Sequence, residues 1–275
     1  MTSKNAKSPG LRVTILGSGT CVPSLARSSC AVLVVIDESR ILLDVGPGTM
    51  RRLLRCQTTI FDLSHLLISH RHPDHSGELV PLLFATKYPD SGRRRQPLNL
   101  VAGKGFGRFF NGLRSIYGQW IELPPPLMSI REMETDGPDE VQTEGFHLTT
   151  RPMTHSPESV GFRLSIPDGP SMVYSGDTDV TPELVRLAAK ADLLICECAL
   201  PDEQKVTGHL TPAEAGRMAS HAGVKHLVLT HFYPACEKAD IAAQCRRTYK
   251  GPLTLAHDLL SFEIGENGCV IIPSV

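Results

Sequence analysis

Ser69-His70-Arg71-His72-Pro73-Asp74-His75-Ser76-Gly77 follows the apolar run Leu66 to Ile68 and precedes a helical pattern that starts near Glu78. Four potential ligands fall between His70 and His75. At a strand end, side chains two apart point the same way, so His70 and His72 can share one cation. The turn through Pro73 brings Asp74 and His75 round to a second position. Packing alone gives no reason to crowd three imidazoles and a carboxylate into one short segment, so the stretch reads as a metal centre. Imidazole suits zinc, iron or manganese, and the added carboxylate favours an open site with exchangeable water over a closed structural zinc.

Working outward, three more residues stand at predicted strand ends. His155 lies before Ser156-Pro157, Asp177 sits in Tyr174-Ser175-Gly176-Asp177-Thr178, and His231 ends Leu227-Val228-Leu229-Thr230-His231. Strand ends are rigid mounting points facing solvent, which is where a site open to substrate must be built. Two cations about 3.5 to 4 Å apart need such additional ligands, among them a bridging carboxylate.

The rest of the chain supplies a scaffold. Short β-rich runs are expected at Leu11 to Leu16, Cys30 to Ile36, Arg40 to Asp44, Leu66 to His70, Leu98 to Ala102, Val160 to Ile166, Met172 to Tyr174, Leu193 to Glu197, His226 to Thr230, Leu253 to His257 and Cys269 to Ile272. Helical patterns occupy Met50 to Cys56, Glu78 to Tyr88, Gly107 to Ile116, Pro182 to Ala191, Pro212 to Ala222 and Ala239 to Tyr249. Thr181 before Pro182, and Thr211 before Pro212 with Glu214 in a capping box, mark two helix starts. Strands cluster first and βα alternation follows, an order that predicts two sheets packed face to face with helices outside, in one domain over residues 1–275.

Composition bounds the partners. The 275 residues are 41% apolar and 21% charged, so the chain folds; 28 basic against 29 acidic side chains give no overall footprint for nucleic acid or membrane. The longest apolar run, Cys30 to Ile36, cannot span a bilayer, and the polar start Met1 to Ser8 lacks a signal-peptide core, so a soluble cytoplasmic protein is expected. Eight cysteines without a CxxC pair read as reduced thiols, with Cys196 and Cys198 as small buried residues. Charge is uneven, since Lys87, Arg93, Arg94, Arg95, Lys104, Arg108 and Arg114 face only Asp90, and residues 132–144 answer with six acids. The basic block reads first as solvated loop and second as a polyanion contact. Gly17-Ser18-Gly19 reads as a tight turn rather than a phosphate cradle, and no Walker lysine, GxSxG elbow or nicotinamide fingerprint occurs.

His70-x-His72-x-Asp74-His75, followed in order by His155, Asp177 and His231, resembles the metallo-β-lactamase superfamily nearly end to end. The resemblance implies a four-layer αββα sandwich, an α/β fold, with one metal on His70, His72 and His155, the other on Asp74, His75 and His231, and Asp177 bridging. It implies two divalent ions, zinc first, with Mn2+ or Fe2+ as alternatives. Leu16-Gly17-Ser18-Gly19-Thr20 with Pro23 and Arg27, then Leu42-Leu43-Asp44-Val45-Gly46, is similar to the opening of the ribonuclease Z and phosphodiesterase branch. Glu197 with Gly208-His209-Leu210-Thr211 resembles that branch's Glu and His pair, which makes His209 the general acid and Glu197 its orienting partner. Asp74 completes the catalytic set. Asp44 and Asp258 match positions where carboxylates hold imidazole N–H groups.

The implied reaction is phosphodiester hydrolysis by a metal-bridging hydroxide, whose parent water two cations bring to a pKa of roughly 7, with His209 protonating the leaving alkoxide. The substrate expected is a small or nucleotide phosphodiester. Transfer RNA is less favoured, because no basic arm is inserted between His155 and His231 and because Phe232-Tyr233-Pro234 replaces the branch's usual continuation. Three alternatives stay open: tRNA 3′-processing, hydrolysis of a lactone, lactam or thioester, and a nonenzymatic metal-containing binding module. Di-iron redox chemistry is disfavoured by His72, where such members carry Glu. The aromatics between Gly105 and Trp120 form either core or a lid, and the resemblance also admits a homodimer.

Overall fold

The computed structural model describes residues 10–87, 94–266 and 268–273. Strands β1 (Leu11–Gly17), β2 (Ala31–Ile36), β3 (Ser39–Leu43), β4 (His65–Ile68) and β5 (Leu98–Gly103) are built from runs so apolar that both of their faces are covered. Alternation sorts their side chains between two layers. Val13, Ile15, Val32, Val34, Ile41, Leu43 and Leu67 join a core shared with the second sheet. Leu16, Leu33, Leu42, Leu66, Ile68 and Leu100 face the other way, against helices.

With β6 (Met128–Met133), β14 (Leu260–Gly265) and β15 (Gly268–Ile272), these strands form an eight-stranded sheet in the order β15-β14-β1-β2-β3-β4-β5-β6. It is antiparallel from β15 to β3 and parallel from β3 to β6. The seven-stranded second sheet repeats the plan. Strands β7 (Asp139–Gln142), β8 (His147–Pro152), β9 (Val160–Ser165) and β10 (Ser171–Tyr174) are antiparallel neighbours. Strands β11 (Leu193–Glu197), β12 (Leu227–Thr230) and β13 (Leu253–Leu255) then continue in parallel from β10.

Helices α1 (Thr49–Arg55), α3 (Leu79–Ala85) and α4 (Phe106–Tyr117) cover the first sheet through Leu53, Leu79, Leu82, Leu83, Phe106 and Phe110. Helices α5 (Pro182–Leu187), α6 (Pro212–Ala222) and α7 (Ile241–Arg246) cover the second through Leu184, Ala215, Ala219, Ile241 and Cys245. The result is the αββα sandwich, to which a single turn of helix, α2 (Pro73–Ser76), is added in the histidine-rich loop. No helix among the described residues is long and apolar enough to cross a membrane.

Both expected caps form: Thr181 accepts from the Glu183 N–H at 3.3 Å, and the Thr211 N–H donates to Glu214 at 3.0 Å. Strands β6, β7 and β14 lie outside the sequence expectation, and β8 is anticipated only by the placing of His155 at a strand end, without a run of its own. Three expected helices are shorter, since Glu78 is an N-cap and α3 ends at Ala85, α5 ends at Leu187, and Asp240 caps α7 by accepting from the Ala243 N–H. Met1 to Ser8, Tyr88, Asp90 and Arg93 fall outside the described residues. Gly17-Ser18-Gly19 is a tight crossing, because a Cβ on Gly17 would lie 1.9 Å from the Ser29 carbonyl oxygen. Cys196 and Cys198 are buried in the shared core, and all eight cysteines are free.

Much of the charge asymmetry is spent internally. Arg94 is buried and donates to the carbonyls of Leu63 and Ile60, Lys104 pairs with Glu134, and Arg114 pairs with Glu122. Burial pushes the Arg94 pKa down to about 10. This corrects the reading of the basic block as solvated loop or polyanion contact at Arg94, whereas Lys104 and Arg114 stay exposed in surface ion pairs. From the acidic block, Glu132 accepts from the N–H groups of Gly105 and Gly107 at 3.1 and 2.6 Å, satisfying the exposed amides at the start of α4 and complementing its dipole. Glu132→Ala removes this cap and is expected to lower stability by about 0.5–2 kcal/mol, read as a lower urea midpoint with unchanged slope.

Candidate metal centre

In parallel strands the carboxyl ends share one edge, and that edge is where α/β proteins bind ligands. Here β4 delivers His70 and His72, β10 delivers Asp177, β11 ends in Glu197 and β12 runs into His231. Asp74 and His75 sit on α2, and His155 follows β8. The two sheets thus meet their ligand-bearing ends across a single cleft.

Asp177, 3% exposed, lies at its middle. Its Oδ2 faces His70 Nε2 at 3.6 Å and His155 Nε2 at 3.8 Å; its Oδ1 faces His75 Nε2 at 3.3 Å and His231 Nε2 at 3.4 Å. Ligand atoms of His70, His72, His155 and Asp177 all lie within 4.8 Å of one another. On the other side, Asp74 Oδ2 stands 3.5 Å from His231 Nε2 and 3.8 Å from His75 Nε2. All seven residues named from the sequence therefore converge.

Hydrogen bonds at the far side of each ring set which nitrogen faces the cleft. His75 Nδ1 donates to Asp44 at 2.7 Å and His155 Nδ1 to the Gly208 carbonyl at 2.8 Å, so each turns its Nε2 into the cleft, toward His231 and His72 respectively. His70 Nδ1 lies 3.1 Å from the Ser69 hydroxyl, which in turn donates to Asp44 at 2.7 Å. One carboxylate therefore orients an imidazole of each trio. Asp44 is itself fixed by the Ser69 N–H and the Tyr174 hydroxyl. Ser69 and Tyr174 had escaped the sequence reading; a polar tip in the apolar run before Asp177 was the available signal. Asp258 plays a different part from the one expected. It accepts from Ser18 and Ser28 and pairs with Arg52, anchoring the glycine turn rather than an imidazole.

Two further features mark the site. Asp44 and His231 adopt left-handed backbone, φ 58° and 63°, conformations that non-glycine residues hold only when their surroundings impose them. A Cβ on Gly46 would meet the Asp74 carbonyl at 2.1 Å, so only glycine lets the loop after β3 support α2. Cys30, buried beside His75 and His231, donates to the Gly19 carbonyl.

The donor set is that of a cation site. His70 Nε2 and Asp177 Oδ1 are buried without a hydrogen-bond partner, and such groups are rare unless an ion or water completes them. Burial, reinforced by neighbouring imidazoles, pushes the His70 pKa down to about 2, so this ring stays in the neutral form that ligates metal. Burial opposes charge on His75 as well, but Asp177 and Asp44 on either side hold its pKa well above the ordinary value. The cleft thus demands positive charge, which a proton supplies there and a metal ion could replace.

His209, on the loop before α6, donates from Nδ1 to Glu197 at 2.8 Å, and its ring stacks on His231 with centroids 5.5 Å apart. Glu197 is 1% exposed and accepts from the Thr178 and Ala199 N–H groups. The segment Gly105 to Trp120 divides: Phe106 and Phe110 are core, whereas Phe109, Tyr117 and Trp120 line a cavity beside the histidine loop. Among the described residues its ring contacts are internal or with Phe84.

A double sheet whose strand ends gather imidazoles and carboxylates around a buried aspartate defines a metal-dependent hydrolase. Residues 39–232 match the family described as the beta-lactamase superfamily domain, and the chain belongs to that family, whose fold binds divalent metal. It is 29% identical to a ribonuclease Z of Streptomyces coelicolor, over 90% of this chain and 95% of that protein. The short form of human tRNase Z superposes with a TM-score of 0.72 at 27% identity, over 91% of this chain and 98% of that one. The metallo-beta-lactamase fold protein YhfI of Bacillus subtilis superposes with a TM-score of 0.79 at 21% identity, over 93% and 99%. The chain is ribonuclease Z-like within its family.

Asp44→Asn breaks the support of both His70 and His75. Metal affinity is expected to fall about 10- to 100-fold, measured by chelator competition on folded protein.

Proposed function

We propose that this protein is a dinuclear metal-dependent phosphodiesterase acting on a small or nucleotide phosphodiester in the cytoplasm. One cation is assigned to His70, His72 and His155, the other to Asp74, His75 and His231, with Asp177 between them; zinc is the expected ion. The observation that carries the reading is the position of Asp177, each of whose oxygens faces a different pair of imidazoles, with the His209–Glu197 pair alongside. When bound, the two metals supply a nucleophilic water and neutralise charge on the phosphoryl oxygens.

The chain's own residues supply the rest. Glu197, held by two backbone amides, accepts from the His209 Nδ1–H and so stabilises the imidazolium form, whose second proton, at Nε2, is the one given to the departing alkoxide. Burial lowers the His209 pKa, while Asp177 nearby favours its charged form. Asp74 presents an oxygen to the cleft beside His231 and can orient the attacking water.

The ribonuclease Z relatives make tRNA 3′-processing the second reading. Against it, β9 and β10 are joined by the turn 166–170, and the chain from His155 to His231 is taken up by sheet and covering helices with no projecting arm. Arg94 is buried, and Lys104 and Arg114 are paired at the surface with Glu134 and Glu122, which leaves less unpaired basic surface for a polyanion.

His209→Ala is expected to cut kcat for bis-p-nitrophenyl phosphate by about 10²- to 10⁴-fold while elemental analysis finds unchanged metal. Cleavage of precursor tRNA at the acceptor end would promote the processing reading. Turnover of nitrocefin or a thioester in place of the diester would overturn the phosphodiesterase assignment, and inertness of metal-loaded protein on the whole panel would leave a binding module.

A further inference from the structure

Beside the histidine loop lies a cavity of about 820 Å³, lined among the described residues by Arg71, Pro73, Val80, Phe84, Leu113 and Trp120, among others. That volume is within the range of sites that take small organic ligands, and the walls are mostly apolar. Phe84 and Trp120 meet edge to face with centroids 5.9 Å apart, yet are 45% and 49% exposed. Aromatic surface exposed to this degree in a concavity, that of Trp120 above all, suits an apolar occupant.

The occupant's polar end is indicated by the loop that forms one wall of the cavity. Arg71 and Pro73 flank His72, and Ser76 and Gly77 follow His75, so the cavity and the cation cleft share one loop. Arg71 donates to Glu158 through Nε at 2.8 Å, which fixes the guanidinium, while its two terminal amino groups have no hydrogen-bond partner among the described residues. A guanidinium held in this way can take an anionic oxygen on its remaining edge. The occupant is thus apolar over most of its length and anionic at the end nearest the metals.

We propose that this cavity is the subsite for an apolar group of the substrate, a ring or short acyl chain, whose phosphate lies between Arg71 and the metal centre. The inference rests on the phosphodiesterase reading and narrows the substrate class to amphipathic diesters.

Trp120 is the chain's single tryptophan, so its emission reports the cavity directly and independently of turnover. Octyl phosphate below its micellar concentration is expected to shift that emission saturably in metal-loaded protein, at least tenfold more tightly than methyl phosphate. Phe84→Glu and Tyr117→Glu alter exposed positions and should each abolish the shift; each should also raise KM for bis-p-nitrophenyl phosphate about tenfold with little change in kcat. Equal response to octyl and methyl phosphate, or unchanged KM in both variants, would overturn the subsite. So would sedimentation showing a dimer that either variant dissociates, because a second copy would then cover this face. Absence of diester hydrolysis together with a normal emission titration would defeat the phosphodiesterase reading while leaving the binding site.

Discussion

A carboxylate removed from water needs positive charge close by, and Asp177 carries that demand for the whole centre. Isolated charges in protein interiors are costly enough that they are neutralised, paired or bound to metal. Among the described residues no lysine or arginine pairs with Asp177; its neighbours are imidazoles, and burial disfavours the charged form of His70 and His155. Glu197 is also buried, and burial together with the proximity of Asp177 pushes its pKa well up, so its charged form too is disfavoured until positive charge is supplied. Divalent cations resolve this balance with the ligands already aimed inward, and the hydrogen bonds behind His75, His155 and His209 keep each Nδ1 occupied as a donor. The requirement for cations therefore follows from electrostatics and geometry together, not from the presence of histidines alone.

That arrangement also explains why the two sheets must keep their relative position. His70, His72, Asp74 and His75 belong to the first sheet, whereas His155, Asp177, Glu197 and His231 belong to the second. The Tyr174 hydroxyl, leaving the end of β10, crosses to Asp44 beyond β3 at 2.8 Å, so a buried hydrogen bond between the sheets lies directly behind the centre. Packing of Ile15, Val34 and Leu43 with Phe162, Leu164 and Val173 supplies the nondirectional part of the same constraint. Function here depends on a dense core because the ligands share no common strand.

The sequence made the central strands legible because β4, β11 and β12 are continuous apolar runs, and it exposed the first ligands because they are crowded into one loop. It hid what lies at the edges. β6 and β7 are edge strands whose Met-Ser-Ile-Arg-Glu-Met and Asp-Glu-Val-Gln sequences bury little, and β8 carries Thr-Thr-Arg on a partly covered surface. β14 does alternate, with Leu260, Phe262 and Ile264 inward, but its short Leu-Ser-Phe-Glu-Ile run has no unbroken apolar stretch to draw attention. Supporting roles were harder still. Asp44 and Asp258 are both acids after apolar runs, and only the fold reveals that one meets an imidazole and the other a glycine turn. The aromatics after Gly105 divide by helical phase, Phe106 and Phe110 inward and Phe109 and Tyr117 toward the cavity, which spacing permits but cannot orient.

The proposed chemistry and the proposed subsite place complementary demands on a substrate. His209 and Glu197 come from the second sheet and stand beside His231 and His155, whereas the apolar cavity belongs to the helical layer of the first sheet and is walled by the loop that carries His72 and Asp74. A diester engaging both must lay its phosphate across the cleft, with one ester oxygen toward the imidazole and the other substituent toward Phe84 and Trp120. Only the group at the imidazole can depart with its proton, so the apolar group is the part retained on the phosphate. Affinity and leaving-group chemistry would then be governed by opposite ends of one molecule and by opposite sheets of one sandwich, which allows the apolar pocket to vary without disturbing the ligands that both sheets hold in common.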